Sequence, residues 1–115
     1  MEITGPPTRK NIINALNSGA HTYMADMEDS LSPTWENVLT AHKNMILTCS
    51  KKINFYDGEA EKMYKLKRQI PVSIFFRVWS LHKIEAHIDA SGQPMSATLF
   101  DLGVYLFHNA LELGK

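Results

Sequence analysis

Cysteine is almost absent. Cys49 is the only one in 115 residues, so no internal disulfide can form, and this usage fits a reducing compartment. By itself such a thiol reads as a small, half-buried apolar side chain. Net charge is absent as well. Twelve Lys+Arg balance twelve Asp+Glu, which leaves no electrostatic footprint for a phosphate backbone and argues against a nucleic-acid partner. No apolar run approaches the roughly 18–20 residues needed to span a bilayer, so no membrane partner is expected. Residues Met1 to Pro7 lack a basic stretch followed by an apolar one and do not read as a signal peptide. There is no internal repeat, no Gly-rich phosphate loop and no Gly-x-Ser-x-Gly elbow. The five histidines (His21, His42, His82, His87 and His108) have no compact ligand spacing, and no Cys or His pair completes a zinc site.

What remains is an ordinary globular composition, 44% hydrophobic and 21% charged, with length for one small domain and not two. Thr8 is placed to cap a helix over about 9–18, striped by Ile12, Ile13 and Leu16 and stopped by Gly19. Residues 20–27 read as a buried strand centred on Tyr23, Met24 and Ala25, running into the cluster Asp26-Met27-Glu28-Asp29. Ser32 before Pro33 predicts an N-cap with proline in the first helical position. The helix it opens runs to about Thr48, with Trp35, Val38, Leu39, Ala41, His42, Met45 and Ile46 available for its packed face. Residues 53–56 and 62–66 predict a short hairpin around Asp57-Gly58. Pro71 opens a second strong strand, Val72 to Phe76, that ends in Arg77. Residues 81–87 fit either a helical turn or a loop, and 88–95 a turn or small hairpin. Ser96 or Thr98 caps a final helix through Leu113, striped by Leu99, Leu102, Leu106, Phe107, Ala110 and Leu111. Trp35, Tyr23, Phe75 and Phe76 are read as core.

Buried strands separated by helices predict an α/β fold with parallel strands. Such strands need both faces covered, and two of them with three helices cannot cover themselves. Together with a start on a Gly-Pro-Pro turn and an end directly after a helix, this predicts a piece of a larger barrel or sheet.

In α/β folds functional groups gather at the carboxyl ends of the parallel strands. That rule selects Asp26, Glu28 and Asp29 after the first strand and Arg77 after the second. If strand geometry continues, Asp26 and Glu28 project to one side and Asp29 to the other. An arginine opposite the pair can hold an anionic substrate while the carboxylates order metal-bound water. The plainer alternatives are a solvated loop of incidental acidity and an arginine that is an ordinary ion-pair partner.

The same residues carry a family resemblance. Glu2-Ile3-Thr4-Gly5-Pro6, Arg9-Lys10 and Ile13-Asn14-Ala15-Leu16-Asn17 resemble the stretch that opens the barrel of A-type malate synthases. Tyr23-Met24-Ala25-Asp26-Met27-Glu28-Asp29-Ser30 with Ser32-Pro33-Thr34-Trp35 is similar to that family's "FMADFEDS…SPTW". Phe76-Arg77-Val78, Leu81-His82, Glu85 and His87 resemble its "R-x-R-G-x-H" and "EKH" words. Gly92-Gln93-Pro94, Leu99-Phe100-Asp101 and Tyr105-Leu106-Phe107-His108-Asn109 resemble "DGEP…SLFDFGLYFFHN". The family's second arginine and its glycine are Trp79 and Ser80 here.

The resemblance implies that residues 1–115 are a fragment of a partial TIM (β/α)8 barrel, roughly its first quarter. It implies an acyltransferase that condenses acetyl-CoA with glyoxylate and water to give malate and CoA, using Mg²⁺. Arg77 would hold glyoxylate and act in catalysis, Asp26 and Glu28 would sit around the metal's water shell, and Ser30 would lie near acetyl-CoA. The metal ligands and the aspartate base belong to later parts of the family's chain, so the isolated chain is expected to be inactive. Family members work in peroxisome-like organelles (glyoxysomes) or the cytoplasm and are not secreted. The alternative is a truncated, non-catalytic remnant or interaction module from the same barrel; against a third reading, a related lyase-type barrel, stand the words Glu2-Ile3-Thr4-Gly5-Pro6 and His108-Asn109. With strand edges and apolar faces uncovered, the isolated chain is expected to be marginally stable or prone to aggregate. A sharp, cooperative urea transition would contradict that expectation.

Overall fold

The computed structural model describes residues 1–67 and 72–115. In chain order the elements are β1 (Glu2–Gly5), α1 (Arg9–Asn17), β2 (Thr22–Asp26), α2 (Trp35–Cys49), β3 (Asn54–Asp57), β4 (Lys62–Lys65), β5 (Ser73–Arg77), β6 (Ile84–Ala90), β7 (Gln93–Ser96) and α3 (Ala97–Leu113). The fold is mixed α/β. β1, β2 and β5 form a parallel sheet with β2 in the middle, while β3–β4 and β6–β7 are separate antiparallel hairpins.

The central position of β2 follows from its composition. Tyr23 and Ala25 are fully buried and pack with Ile12, Ile13, Ala15 and Leu16 of α1, Met45 of α2, Ile53 and Tyr105. Tyr23 reaches through this core, and its hydroxyl lies 3.2 Å from the Gly5 carbonyl and 3.1 Å from that of Pro6. A smaller core joins Met27, Val38, Ala41, Trp79 and Ala97. α1 stops where Gly19 adopts φ +82°, a left-handed conformation that glycine takes without steric cost. The β6–β7 turn uses Ser91 (φ 59°) and Gly92 (φ 84°), the paired positive angles that suit a tight hairpin.

Several elements differ from the sequence expectation. β1 was not anticipated; its four residues are too short for a period-2 signal and pair only because β2 lies alongside. Residues 81–87 divide: the Lys83 amide closes a turn onto the Ser80 carbonyl at 3.0 Å, and from Ile84 onward the chain is the unanticipated strand β6, with an irregular register between Glu85 and Asp89. Pro71 lies outside the described residues. The cap of α2 is Thr34 and not Ser32: the Thr34 hydroxyl accepts the Asn37 amide at 3.2 Å, which leaves Pro33 before the helix. Thr8 occupies the cap position of α1 but makes no side-chain cap bond. Phe75 is about half exposed, and so is not core.

The largest correction concerns α3. Its inward face is Ala97, Thr98, Asp101, Tyr105 and Asn109. The leucine stripe expected to be packed points outward, with Leu99 60%, Phe107 85% and Leu111 86% exposed. The physical reason lies in what α3 packs against. His42 is buried in α2 and needs a partner, as do the Trp79 amide and the carbonyls of Trp79 and Ser80. A polar stripe at four-residue spacing meets these needs and a leucine stripe cannot.

The reassigned cap gives a direct test. Thr34→Ala should cost about 1 kcal/mol and speed hydrogen exchange at the Asn37 amide, whereas Ser32→Ala should leave that amide unchanged.

Candidate functional site

Parallel register builds the site. β2 and β5 pair residue for residue, and the last pair sets Asp26 beside Arg77. Side chains at matched positions of adjacent strands project to the same face. The ladder continues one step further, with the Met27 amide bonded to the Arg77 carbonyl at 3.0 Å. There strand geometry stops. Asp26 Oδ1 accepts the amides of Glu28 (3.0 Å) and Asp29 (3.2 Å), a turn of the kind aspartate favours.

That turn corrects the expected division of the carboxylates. Asp29 folds back onto Arg77, accepting from Nη2 at 2.9 Å, so Asp26 and Asp29 share the arginine. Glu28 turns away and accepts the Ser80 hydroxyl. Arg77 grips Asp26 bidentately, Nε to Oδ1 at 2.8 Å and Nη2 to Oδ2 at 2.6 Å, and Ser30 donates to Oδ2 at 2.9 Å. The Asp26 side chain is only 1% exposed while that of Arg77 is 37% exposed. The pair is therefore rooted in the protein and open on the guanidinium side. Nη1 of Arg77 makes no hydrogen bond among the described residues.

The electrostatics follow this geometry. Hydrogen bonds from Arg77 hold the Asp26 carboxyl well below the usual carboxylate range against the opposing effect of burial, with help from Ser30 and the two amides. Hydrogen bonding to Asp26 in turn pushes Arg77 further up. Asp26 accepts five hydrogen bonds and stays ionised, so it anchors and does not exchange protons. Among the described residues no group of three or more His, Cys, Asp or Glu converges where a metal ion could be held. Both Asp26 oxygens are engaged within the chain and Glu28 is bonded to Ser80, so the residues present do not form a magnesium ligand set.

Trp79 and Ser80 are built into this surface. Trp79 is 7% exposed in the smaller core, and the ammonium of Lys83 lies 5.7 Å above its ring. Beyond them opens a cleft of about 290 Å³ bounded by Pro33, Val38, Trp79, Lys83, Glu85 and His87. Glu85 Oε1 lies 2.7 Å from His87 Nδ1 and also accepts the His87 amide at 3.1 Å, while the His87 ring stacks on Trp35 at 5.1 Å. Sequence reasoning found no role for this pair; its i, i+2 spacing within one strand is the signal that was available. The buried His42–Asp101 pair (2.9 Å) also went unread, because its members stand 59 positions apart. Cys49 is half-buried as expected, and burial pushes its thiol up.

Arg77→Ala would leave the Asp26 carboxylate buried with only neutral donors. The partial exposure of Arg77 tempers the loss, because water can reach the place the guanidinium leaves. The acid limb has a definite sign. Asp26's folded pKa lies below its unfolded value, so its contribution is complete above about pH 4 and is lost as pH falls below it. Asp26→Asn should lower stability at neutral pH and flatten the loss between about pH 4 and 2, measured by thermal unfolding across that range; an unchanged acid slope would refute the assignment.

No protein-family model matches the chain. Over 109 residues, 95% of its length, it is 48% identical to malate synthase of Arabidopsis thaliana and to glyoxysomal malate synthase of Brassica napus, and 47% identical to malate synthase of Dictyostelium discoideum. The chain spans only 19–20% of the length of these relatives. At close to half identity along almost all of its length, the chain belongs to the malate synthase family, of which it carries one segment.

Proposed function

We propose that this chain is one wall of a malate synthase active site, in an enzyme that condenses acetyl-CoA with glyoxylate and water to give malate and CoA. On this reading residues 1–115 form the opening part of a TIM (β/α)8 barrel, with β1, β2 and β5 as adjacent barrel strands. The observation that carries the proposal is the strand-end arginine fixed by a buried aspartate, within a sequence 46–48% identical to plant malate synthases.

Arg77 would bind glyoxylate through the face of its guanidinium that Asp26 and Asp29 leave open. The bidentate bond to Asp26 fixes the plane of the fork in advance, so little side-chain entropy remains to be lost on binding. A fixed cation there would also stabilise negative charge developing on the substrate oxygen. Ser30 would lie toward acetyl-CoA, although its hydroxyl donates to Asp26. Glu28 would stand in the outer surroundings of the metal. Magnesium and the proton-abstracting aspartate belong, on this reading, to a part of the complete enzyme other than this one. The glyoxysomal names of several relatives make the glyoxysome the proposed compartment.

Ser80 bonded to Glu28 and Trp79 buried beside it favour a second reading, a remnant that keeps the fold without the activity. Two measurements decide. The 115-residue chain alone should release no CoA thiol from acetyl-CoA and glyoxylate; turnover would show that it holds a complete site. Placed into the Arabidopsis thaliana enzyme in exchange for the aligned 109 residues, it should support malate formation, and Arg77→Ala in that chimera should lower kcat roughly 100-fold or more. A folded but inactive chimera would establish the remnant reading.

A further inference from the structure

Three carboxylates gather around one guanidinium. Asp26 and Asp29 take the Nε and Nη2 hydrogens of Arg77, while Nη1 has no partner among the described residues. Glu28 is the third carboxylate and stands close by. Its amide and Arg77 Nε both donate to Asp26 Oδ1, at 3.0 and 2.8 Å, so a glutamate side chain here reaches the guanidinium unless something else holds it. Its charge is already among those that push Arg77 up. An unheld carboxylate would close on Nη1, since pairing with a guanidinium adds charge attraction to hydrogen bonding. The open face of Arg77 would then be filled by the chain's own anion.

What holds Glu28 is the Ser80 hydroxyl. Ser80 is suited to the task, a short side chain on a backbone that is already pinned. The carbonyls of Trp79 and Ser80 both accept the Thr98 hydroxyl, at 2.7 and 2.9 Å, so the donor stands in place before Glu28 meets it. No arginine follows Arg77 in the sequence to take the carboxylate instead, and Trp79 stands where the related word has one. We propose that Ser80 is a positioning residue, which withholds Glu28 from Arg77 Nη1 and so keeps the guanidinium open to a small carboxylate ligand. The inference deepens the malate synthase reading and rests on it for the identity of that ligand, glyoxylate. The bond that sets this chain apart from the related word then has a use in an active enzyme.

The chimera with the Arabidopsis thaliana enzyme tests it. Ser80→Ala there should raise KM for glyoxylate about fivefold, the weight of one part-exposed ion pair competing for Arg77. It should leave kcat within about twofold, because saturating glyoxylate displaces the competing carboxylate. Ser80→Thr, which keeps the hydroxyl, should stay close to the unsubstituted chimera. In a Glu28→Gln background, Ser80→Ala should have no further effect on KM, since a neutral amide carries no charge to the arginine. An unchanged KM in Ser80→Ala, a fall in kcat at constant KM, or a KM rise that persists in the Glu28→Gln background would overturn the inference. A chimera without turnover would count against the malate synthase reading and leave this one to calorimetric titration with glyoxylate. Ser80→Ala should still bind it about fivefold more weakly; equal affinity in the two proteins, or none in either, would overturn the inference.

Discussion

A carboxylate shut away from solvent must find its positive charge and its donors within the protein, and for Asp26 nearly all of that falls to Arg77. The rest of the strand-end surface follows from the pair. The register of β2 and β5 is the one that brings the two residues level. The turn after β2 is tight because Asp26 also collects the next amides, and Asp29 returns to the same guanidinium for that reason. Shifting β5 by one residue would send Arg77 to the opposite face of the sheet and leave a buried anion behind.

A second polar arrangement holds α3. His42, Asp101, Thr98 and the backbone of residues 79–80 form a set of buried donors and acceptors bonded to one another. His42 Nδ1 and Asn109 Oδ1 find no partner within it, so the arrangement is costly in places. Below it the Phe76 and Tyr105 rings stack at 4.2 Å and supply the apolar part of the contact. Directional bonds set the orientation of the helix and the rings supply its adhesion. Since the same bonds grip the Trp79 and Ser80 backbone, the docking of α3 also fixes the chain just beyond Arg77.

The parts that could be read from sequence were those governed by local rules. Apolar spacing located α1, β2, α2 and β5, the Gly19 stop is a local backbone requirement, and Asp57-Gly58 marked the first hairpin. The strand-end rule pointed to Asp26 and Arg77 before either had a partner. What stayed hidden was nonlocal. Which helix face turns inward depends on whether the neighbour offers leucines or an unpaired histidine, and composition favoured the leucines. Ser32 and Thr34 both have a hydroxyl suited to capping, and only the path of the backbone selects Thr34. Glu28 could not be assigned to Ser80 because 52 positions separate them.

Separation along the chain has one more consequence. The two halves of the Asp26–Arg77 bond stand 51 residues apart, whereas the β3–β4 pairs and the turns of α2 close over a few residues. Loop-closure entropy opposes the long connection until the segments between have condensed and shortened it. The order that loop closure favours is then helix and hairpin first, with the β2–β5 pairing and the arginine clamp, which span the same 51 residues, together last. By the same reasoning the clamp opens first when the fold loosens, so the Met27 amide, which bonds across this junction, should lose protection before the amides within α2. The groups proposed to meet substrate would thus be the last to form in the segment and the first to be lost from it.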